Sequence, residues 1–215
     1  FYLEFQDLLS VIKYNLFDTI CHEHIEYYSL NVVKKMLKKN NLKLINAQKN
    51  NINGGSLSLI ISHKEGRYKL NNAQINRLVK EENKYNLSNK KTFLNFYKKI
   101  NNIKKTLNEL ISNLLKKGNK IHGYGASTKG NVLLQYFELT NKQIPFIADR
   151  NPEKNNFFTP GTKIKIINEN KSRSMFPDYY LVLPWHFKKE ILKREKVIRR
   201  KGTKFIFPLP KLRII

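Results

Sequence analysis

The sequence has little cysteine and no long apolar run. A single cysteine, Cys21, in 215 residues excludes an intrachain disulfide and a paired-cysteine zinc site, and it suits a reducing compartment. No apolar stretch approaches the roughly 20 residues that span a bilayer, and no secretory signal is visible. We therefore expect a cytoplasmic protein without a membrane partner.

Acidic residues are also scarce, because 16 Asp and Glu stand against 41 Lys and Arg, a formal net charge of +25. Such a surplus attracts polyanions, and a basic nucleic-acid-binding α/β protein is one interpretation of it. The lysines are spread along the whole chain among many Asn and Ile, as in a genome biased toward A and T. Nucleic acid is therefore the weaker interpretation, and the clustering of the lysines in space discriminates between the two.

A hydrophobic fraction of 40% predicts a chain that folds. Residues 1–64 open on Phe1, without an initiator Met, and alternate between helix and strand patterns. We predict a helix to about residue 15, a buried strand at 17–20, a helix from about Leu30 capped by Ser29, and strands at 42–47 and 56–61. The helix should bury Val32, Val33, Met36 and Leu37 on one face. This order is typical of an α/β sheet that ends in an antiparallel pair.

Residues 65–117 carry charged residues with apolar positions three and four apart and no proline. This pattern predicts a helical connector, either one long helix or two joined near residues 87 and 88. Its charge run is best interpreted as a solvated face.

Residues 118–215 predict a second α/β unit. Gly118 ends the connector, and a short strand, a glycine loop and a helix to about Tyr136 follow. Further strands are expected at 144–148, 163–167, 179–183 and 204–207, with one basic helix from about residue 187 to residue 199. The fold class is therefore α/β, with a partial Rossmann-like sheet, a connector and a second Rossmann-like lobe.

The segment Cys21-His22-Glu23-His24 is the first candidate for chemistry. A carboxylate beside an imidazole can orient it and raise its basicity, as proton removal near neutral pH requires. The competing interpretation is an exposed polar loop. The spacing does not match a zinc motif, so we predict no metal site.

The second candidate is the glycine loop of residues 123–130, which follows a strand and opens a helix. Glycines let the backbone approach a phosphate, helix amides attract its charge, and Ser127, Thr128 and Lys129 can add donors. The third glycine comes too late for a dinucleotide fingerprint and the lysine precedes its glycine, so a plain tight turn is the alternative.

Two residues after later strands extend this site. Asp149 stands where a dinucleotide-binding unit places its ribose-binding carboxylate, which keeps a nicotinamide-dependent oxidoreductase open, although the residue can equally cap a turn. Trp185 either lines the same cleft or packs. His63, His122 and His186 have no partner visible in the sequence and are expected to be structural or exposed.

Taken in order, these segments resemble the sugar-nucleotide C-methyltransferases, which use S-adenosylmethionine. The matching segments are Phe17-Asp18-Thr19-Ile20, His22-Glu23-His24, Tyr27-Tyr28-Ser29-Leu30, Gly54-Gly55-Ser56-Leu57, Gly123-Tyr124-Gly125-Ala126, Lys129-Gly130-Asn131, Asp149-Arg150-Asn151-Pro152, Pro160-Gly161-Thr162 and Leu183-Pro184-Trp185. Each segment is weak alone, but their order is specific.

The resemblance implies that residues 1–64 are the second half of the methyl-donor domain and that residues 118–215 help to hold a nucleotide-linked sugar. It places the donor loop and a zinc-binding lobe upstream of this chain, so we expect the chain alone to be inactive. It assigns His24 as the base that removes a proton from a carbon beside a keto group, with Glu23 as its helper, and it requires a cleft between the lobes.

The resemblance also implies binding of deoxythymidine diphosphate or a similar nucleotide. The residues it assigns to the substrate are Tyr27, Gly123, Tyr124, Gly125, Ala126, Ser127, Lys129, Gly130, Asn131, Asp149, Arg150 and Trp185. Three places depart from the family pattern: Cys21 replaces a tyrosine, Asn155-Asn156 replaces Gln-Gly, and His186 replaces an asparagine.

Overall fold

The computed structural model describes all 215 residues. They form two compact units, the first made of Phe1–Phe17 and His22–Lys99 and the second of Asp18–Cys21 and Ile100–Ile215. The division at residues 64/65 and 117/118 expected from the sequence stays a prediction.

The first unit is built on a three-stranded antiparallel sheet. Its elements in chain order are β1 (Tyr2–Gln6), α1 (Leu8–Tyr14), α2 (Leu30–Lys39), β2 (Leu42–Asn50), β3 (Ser56–His63), α3 (Asn72–Tyr85) and the beginning of α4 (Lys90–Lys116). The strand order is β1-β3-β2. Alternate residues of β3, Leu57, Leu59 and Ile61, face a core that is closed by α2 and α3.

Two expectations for residues 1–64 are wrong. The strand predicted at 17–20 is a 3₁₀ turn, Phe17–Thr19, because a short buried run can follow either backbone and periodicity cannot separate them. In α2, Val33 and Leu37 are buried, whereas Val32 and Met36 are 44% and 45% exposed. Residues one apart on a helix point about 100° apart, so the buried stripe is narrower than expected.

The predicted connector is two helices. The chain leaves α3 at Asn86, which adopts a left-handed backbone (φ 46°) and donates its N–H to the carbonyl of Asn83. Asparagine tolerates this conformation better than most residues. The Thr92 hydroxyl then donates to the carbonyl of Tyr85, tying α4 to the end of α3. None of the helices, α4 included, is long and apolar enough to cross a membrane.

The second unit has a six-stranded sheet that is parallel except at one edge. After α4 come β4 (Ile121–Tyr124), α5 (Thr128–Tyr136), β5 (Phe146–Asp149), β6 (Lys165–Asn168), α6 (Glu169–Ser174), β7 (Tyr179–Val182), α7 (Lys188–Arg194), α8 (Lys196–Arg200), β8 (Lys204–Phe207) and β9 (Arg213–Ile214). The α/β fold class is confirmed. The sequence did not predict β1, α6 or β9, and the single basic helix expected at 187–199 is two helices that meet at Glu195.

The strand order β6-β5-β4-β7-β8-β9 positions the site of this unit. Its first five strands run in the Rossmann order, in which the chain direction across the sheet reverses between β4 and β7. Ligands of open α/β sheets bind at the carboxyl ends of the strands at this reversal. Residues directly after β4, β5 and β7 are therefore the ones placed for binding.

Candidate functional site

The predicted catalytic loop lies in the first unit. Residues 22–27 have no helix or strand, and the loop ends where Tyr28 bridges to Asp7. A cavity of about 560 Å³ opens beside it, lined by Phe5, Gln6, Glu23, His24, Tyr27 and Tyr28, among others. The structure thus brings both predicted catalytic residues and Tyr27 to one cavity.

The side chains of this loop are accessible. Glu23 and His24 are exposed, and Tyr27 is half-buried. The His24 ring meets the Tyr27 ring edge to face, with 6.3 Å between centroids. Glu23, the neighbour of His24 in the chain, brings a carboxylate to the same loop.

Asp18, four residues before His22, is a buried carboxylate that sequence reasoning missed. It belongs to the second unit, is fully buried and accepts a hydrogen bond of 2.8 Å from the indole of Trp185. Its other oxygen has no partner. Burial raises the pKa of Asp18, against the Trp185 bond and the charge of Lys129. Burial lowers the pKa of the Lys129 ammonium, whereas the neighbouring Asp18 and Cys21 act to raise it.

Trp185 therefore packs, as one of the two alternatives expected. It is 7% exposed, and its single polar atom is bonded to Asp18. The sequence could not distinguish the two alternatives, because the hydrogen-bond partner of the Trp185 indole lies 167 positions away in the chain and no local pattern points to it. A signal was present in the sequence, since an aspartate flanked by Phe17 and Ile20 has to find a donor if it is buried.

The glycines of the predicted phosphate loop are required by packing. Gly125 has φ 82°, and a Cβ there would lie 2.6 Å from the ring of Pro184. A Cβ on Gly130 would lie 2.9 Å from the Cβ of Leu183. Pro184 thus packs on the side of Gly125 where a Cβ would stand, so glycine is required there whether or not the loop binds an anion.

Two amides of this loop already have protein acceptors. The carboxylate of Asp149 accepts from the N–H of Ala126 at 2.7 Å and from that of Asn151 at 2.8 Å. The Ser127 hydroxyl caps α5 by accepting from Gly130 at 3.0 Å. Asp149 thus caps the turn at Asn151, as one of its two expected roles requires, and it also bonds the glycine loop at Ala126. The anion-binding role of the loop stays a prediction.

A cavity of about 480 Å³ lies at the carboxyl ends of β4, β5 and β7, within the second unit. Among the predicted substrate residues, those that line it are Tyr124, Gly125, Ala126, Ser127, Asp149 and Arg150. Gly123, Lys129, Gly130, Asn131 and Trp185 are not among its lining residues. Residues from α7 and its preceding turn complete the wall, and the sequence did not indicate them.

Beneath this cavity lies a hydrogen-bonded network of two carboxylates, two guanidinium groups and a phenol. The hydroxyl of Tyr124 donates to Glu195 at 2.7 Å and accepts from Arg194. Arg194 also pairs with Glu169 at 2.9 Å, and Arg173 bridges Glu169 and Glu195. Burial disfavours the Glu195 carboxylate, but the bonds from Arg173 and Tyr124 outweigh it and lower the pKa of Glu195.

The remaining histidines lie apart from both cavities. His122 is buried on β4 and bonded to the Ser172 hydroxyl at 2.8 Å, and burial lowers its pKa to about 4. Burial and the charge of Lys129 lower the pKa of His186 to about 4 as well. His63 is exposed at the end of β3. These placements agree with structural or exposed roles.

The chain is 29% identical over 215 residues to "C-methyltransferase NovU" from Streptomyces niveus, a match that covers 100% of this chain and 51% of that protein. The chain therefore spans about half the length of the curated relative. A second comparison matches residues 51–210 to the family described as "C-methyltransferase C-terminal domain". Since this match covers well over half of the sequence, the chain belongs to the C-methyltransferase C-terminal domain family.

Proposed function

We propose that this chain is part of an enzyme that transfers a methyl group from S-adenosylmethionine to a carbon of a nucleotide-linked keto-deoxysugar. The family match and the relative named C-methyltransferase support the reaction type. The observation that carries the catalytic assignment is His24, which is exposed in a loop and lines an open cavity with Glu23 and Tyr27.

In this proposal His24 is the general base. Its ring nitrogen takes the proton from the carbon beside the keto group, and the electron pair of the broken C–H bond is delocalised onto the keto oxygen. The neighbouring Glu23 carboxylate stabilises the imidazolium that results. Exposure of the loop lets a sugar ring reach the imidazole, as proton transfer over hydrogen-bonding distance requires.

The methyl donor supplies an electrophilic methyl group for the carbanion. The glycine loop after β4 does not offer the Ala126 amide to the methyl donor, because the Asp149 carboxylate already accepts from it. We therefore assign no donor-binding residue and take no step through the donor. The same carboxylate also accepts from the Asn151 amide and is thus engaged within the chain, so a nicotinamide cofactor is less well supported than the methyltransferase.

The proposal is tested on the complete gene product with a nucleotide-linked ketosugar. Solvent deuterium exchange at the sugar carbon, measured without methyl donor, reports the proton step alone. We expect His24→Asn to slow exchange and methyl transfer by at least about 100-fold, the range that a general base supplies.

His22→Asn is the matched control, because His22 is exposed in the same loop and outside the cavity lining. It should leave both rates within about twofold of the unaltered enzyme. Undiminished exchange by His24→Asn would overturn the assignment of the base.

A further inference from the structure

The segment directly before the catalytic loop belongs to the second unit, whereas the chain on both sides of it belongs to the first. The first unit stops at Phe17 and resumes at His22, and Asp18–Cys21 are part of the second. Asp18 and Thr19 are fully buried. The loop that carries His24 therefore starts from a segment that the second unit holds in place.

Asp18 bonds this segment to the sheet of the second unit. Its Oδ2 accepts a hydrogen bond of 2.8 Å from the indole of Trp185, and both residues are buried. Trp185 opens the turn after β7, a strand that is paired on both sides. The amide of Phe187 closes that turn on the carbonyl of Pro184 at 3.0 Å. The indole is thus fixed by the central part of the sheet.

The carboxylate of Asp18 is a costly group at a buried position. Its Oδ1 has no hydrogen-bond partner, and burial raises the pKa of Asp18 against the Trp185 bond and the charge of Lys129. Apolar residues of similar volume often replace buried charged groups without loss of stability. What an apolar side chain cannot supply is a directional bond to one distant residue. The bond, more than stability, is therefore what the carboxylate contributes.

The other end of the catalytic loop is fixed as well. The carbonyl of Tyr28 accepts from the amide of Leu8 at 3.0 Å, and Tyr28 forms a β-bridge with Asp7. Residues 22–27 have no helix or strand, so no regular backbone pattern sets their course. Fixed ends restrict the conformations open to a short loop. The orientation of His24 therefore depends on where the two ends are held.

We propose that Asp18 is a positioning residue, whose bond to Trp185 fixes the first end of the loop and thereby orients the imidazole of His24. The inference rests on the proposed function, in which His24 is the base. Proton transfer requires hydrogen-bonding distance, and a displacement of about 1 Å can lower a rate by about 100-fold. Asp18 is fully buried and acts only through the loop.

The test uses the complete gene product and both measurements of the proposed reaction, methyl transfer and deuterium exchange at the sugar carbon. Trp185→Phe keeps an aromatic ring and removes the indole donor to Oδ2. We expect it to lower kcat and the exchange rate by at least about tenfold. KM for the nucleotide-linked ketosugar should stay within about twofold, because neither Trp185 nor Asp18 lines the cavity beside His24 or the cavity of the second unit.

Two further variants separate positioning from stability. Asp18→Asn keeps a side-chain oxygen for the indole, so its rates should stay within about threefold of the unaltered enzyme. The double variant Asp18→Leu/Trp185→Phe replaces the bonded pair by two apolar side chains. Its Tm should exceed that of Trp185→Phe, because no buried carboxylate is left without its donor. Its rates should nevertheless stay as low as those of Trp185→Phe.

Thr203→Val is the matched control. The Thr203 hydroxyl donates to the carbonyl of Pro177 at 2.8 Å in a buried bond. This bond lies at the amino ends of β7 and β8, the edge of the sheet opposite Trp185. Its loss should lower Tm and leave both rates within about twofold of the unaltered enzyme.

Full rates in Trp185→Phe, or rates that recover together with Tm in the double variant, would overturn the inference and leave the proposed reaction standing. Rates of Asp18→Asn as low as those of Trp185→Phe would overturn it as well, since the charge near Lys129 and not the bond would then be responsible. The exchange rate of His24→Asn tests the proposed reaction separately.

Discussion

At the scale of single residues, the glycines of the loop after β4 show how one residue type serves two different needs. A glycine before a helix can admit a phosphate, and the sequence favoured that interpretation. In the structure, Gly123 lies opposite Ile147 in the parallel pair of β4 and β5, and a Cβ on Gly123 would lie 2.7 Å from Cγ1 of that isoleucine. The absence of a side chain here is a packing requirement of the sheet.

Gly123→Ala should therefore destabilise the second unit by about 1–3 kcal/mol, the usual cost of overpacking. Ile147→Ala alone should cost about 2–5 kcal/mol because it opens a cavity at a fully buried position. In the double variant the added methyl fills part of that cavity. The destabilisation of the double variant should therefore be smaller than the sum of the two single-variant destabilisations by about 1 kcal/mol. Urea unfolding of the four proteins measures this coupling, and strictly additive costs would contradict it.

At the scale of elements, α2 is held by a side chain from another helix. The carboxylate of Glu82, on α3, accepts from the amides of Leu30 at 2.7 Å and Asn31 at 3.1 Å. These amides belong to the first turn of α2, which has no acidic residue of its own. Glu82 is 4% exposed, so its charge is stabilised by the helix amides and dipole.

Glu82→Gln keeps the shape but loses the charge, and we expect it to destabilise the first unit by about 1–3 kcal/mol. The amides of Leu30 and Asn31 should lose hydrogen-exchange protection first, because they lose their acceptor. Glu65→Gln, at an exposed position of the same unit, is the control and should have little effect. Unchanged protection at Leu30 in Glu82→Gln would show that the carboxylate is not the cap.

The scale of the whole molecule is where the surplus of positive charge has its effect. On the first unit, Arg77, Lys80 and Lys84 of α3 line a broad cavity together with Lys49. The one carboxylate among its lining residues, Glu81, is shared by Lys49 and Lys13. The cavity at the carboxyl ends of β4, β5 and β7 is lined by three cationic side chains and three carboxylates, so it is a different surface from this basic face.

We expect duplex DNA to bind this basic face only at low salt. Three phosphate contacts imply a loss of DNA affinity of roughly 40-fold between about 50 and 200 mM salt. The affinity for UDP should change by less than about tenfold over the same range. Charge reversal of Arg77, Lys80 and Lys84 should abolish DNA binding and leave UDP binding unchanged. Fluorescence anisotropy with labelled DNA measures the affinity for DNA at each salt concentration. DNA binding that resists salt would favour the nucleic-acid alternative.

Local patterns predicted the elements whose cause is local. The helix after Ser29, the antiparallel pair β2 and β3, and the five parallel strands all follow from caps, alternation and spacing within short windows, whereas the sequence left open whether α3 and α4 are one helix or two. The 3₁₀ turn at Phe17–Thr19 and the short strand β9 do not follow from local patterns. Asp18 of the turn bonds Trp185, 167 positions away, and β9 has only two residues, too few to show a period.

The sequence by itself determined the α/β class, the order of most elements and the loop that carries Glu23 and His24, because these depend on the apolar period and on motifs a few residues long. Only the tertiary structure decided that Asp18 is buried against Trp185, that Pro184 packs against Gly125, and that α7 lines a cavity through Glu190 and Arg194. The reason is distance along the chain: a side chain's burial and partner are fixed by residues tens of positions away, which meet it only once the sheet has set their order.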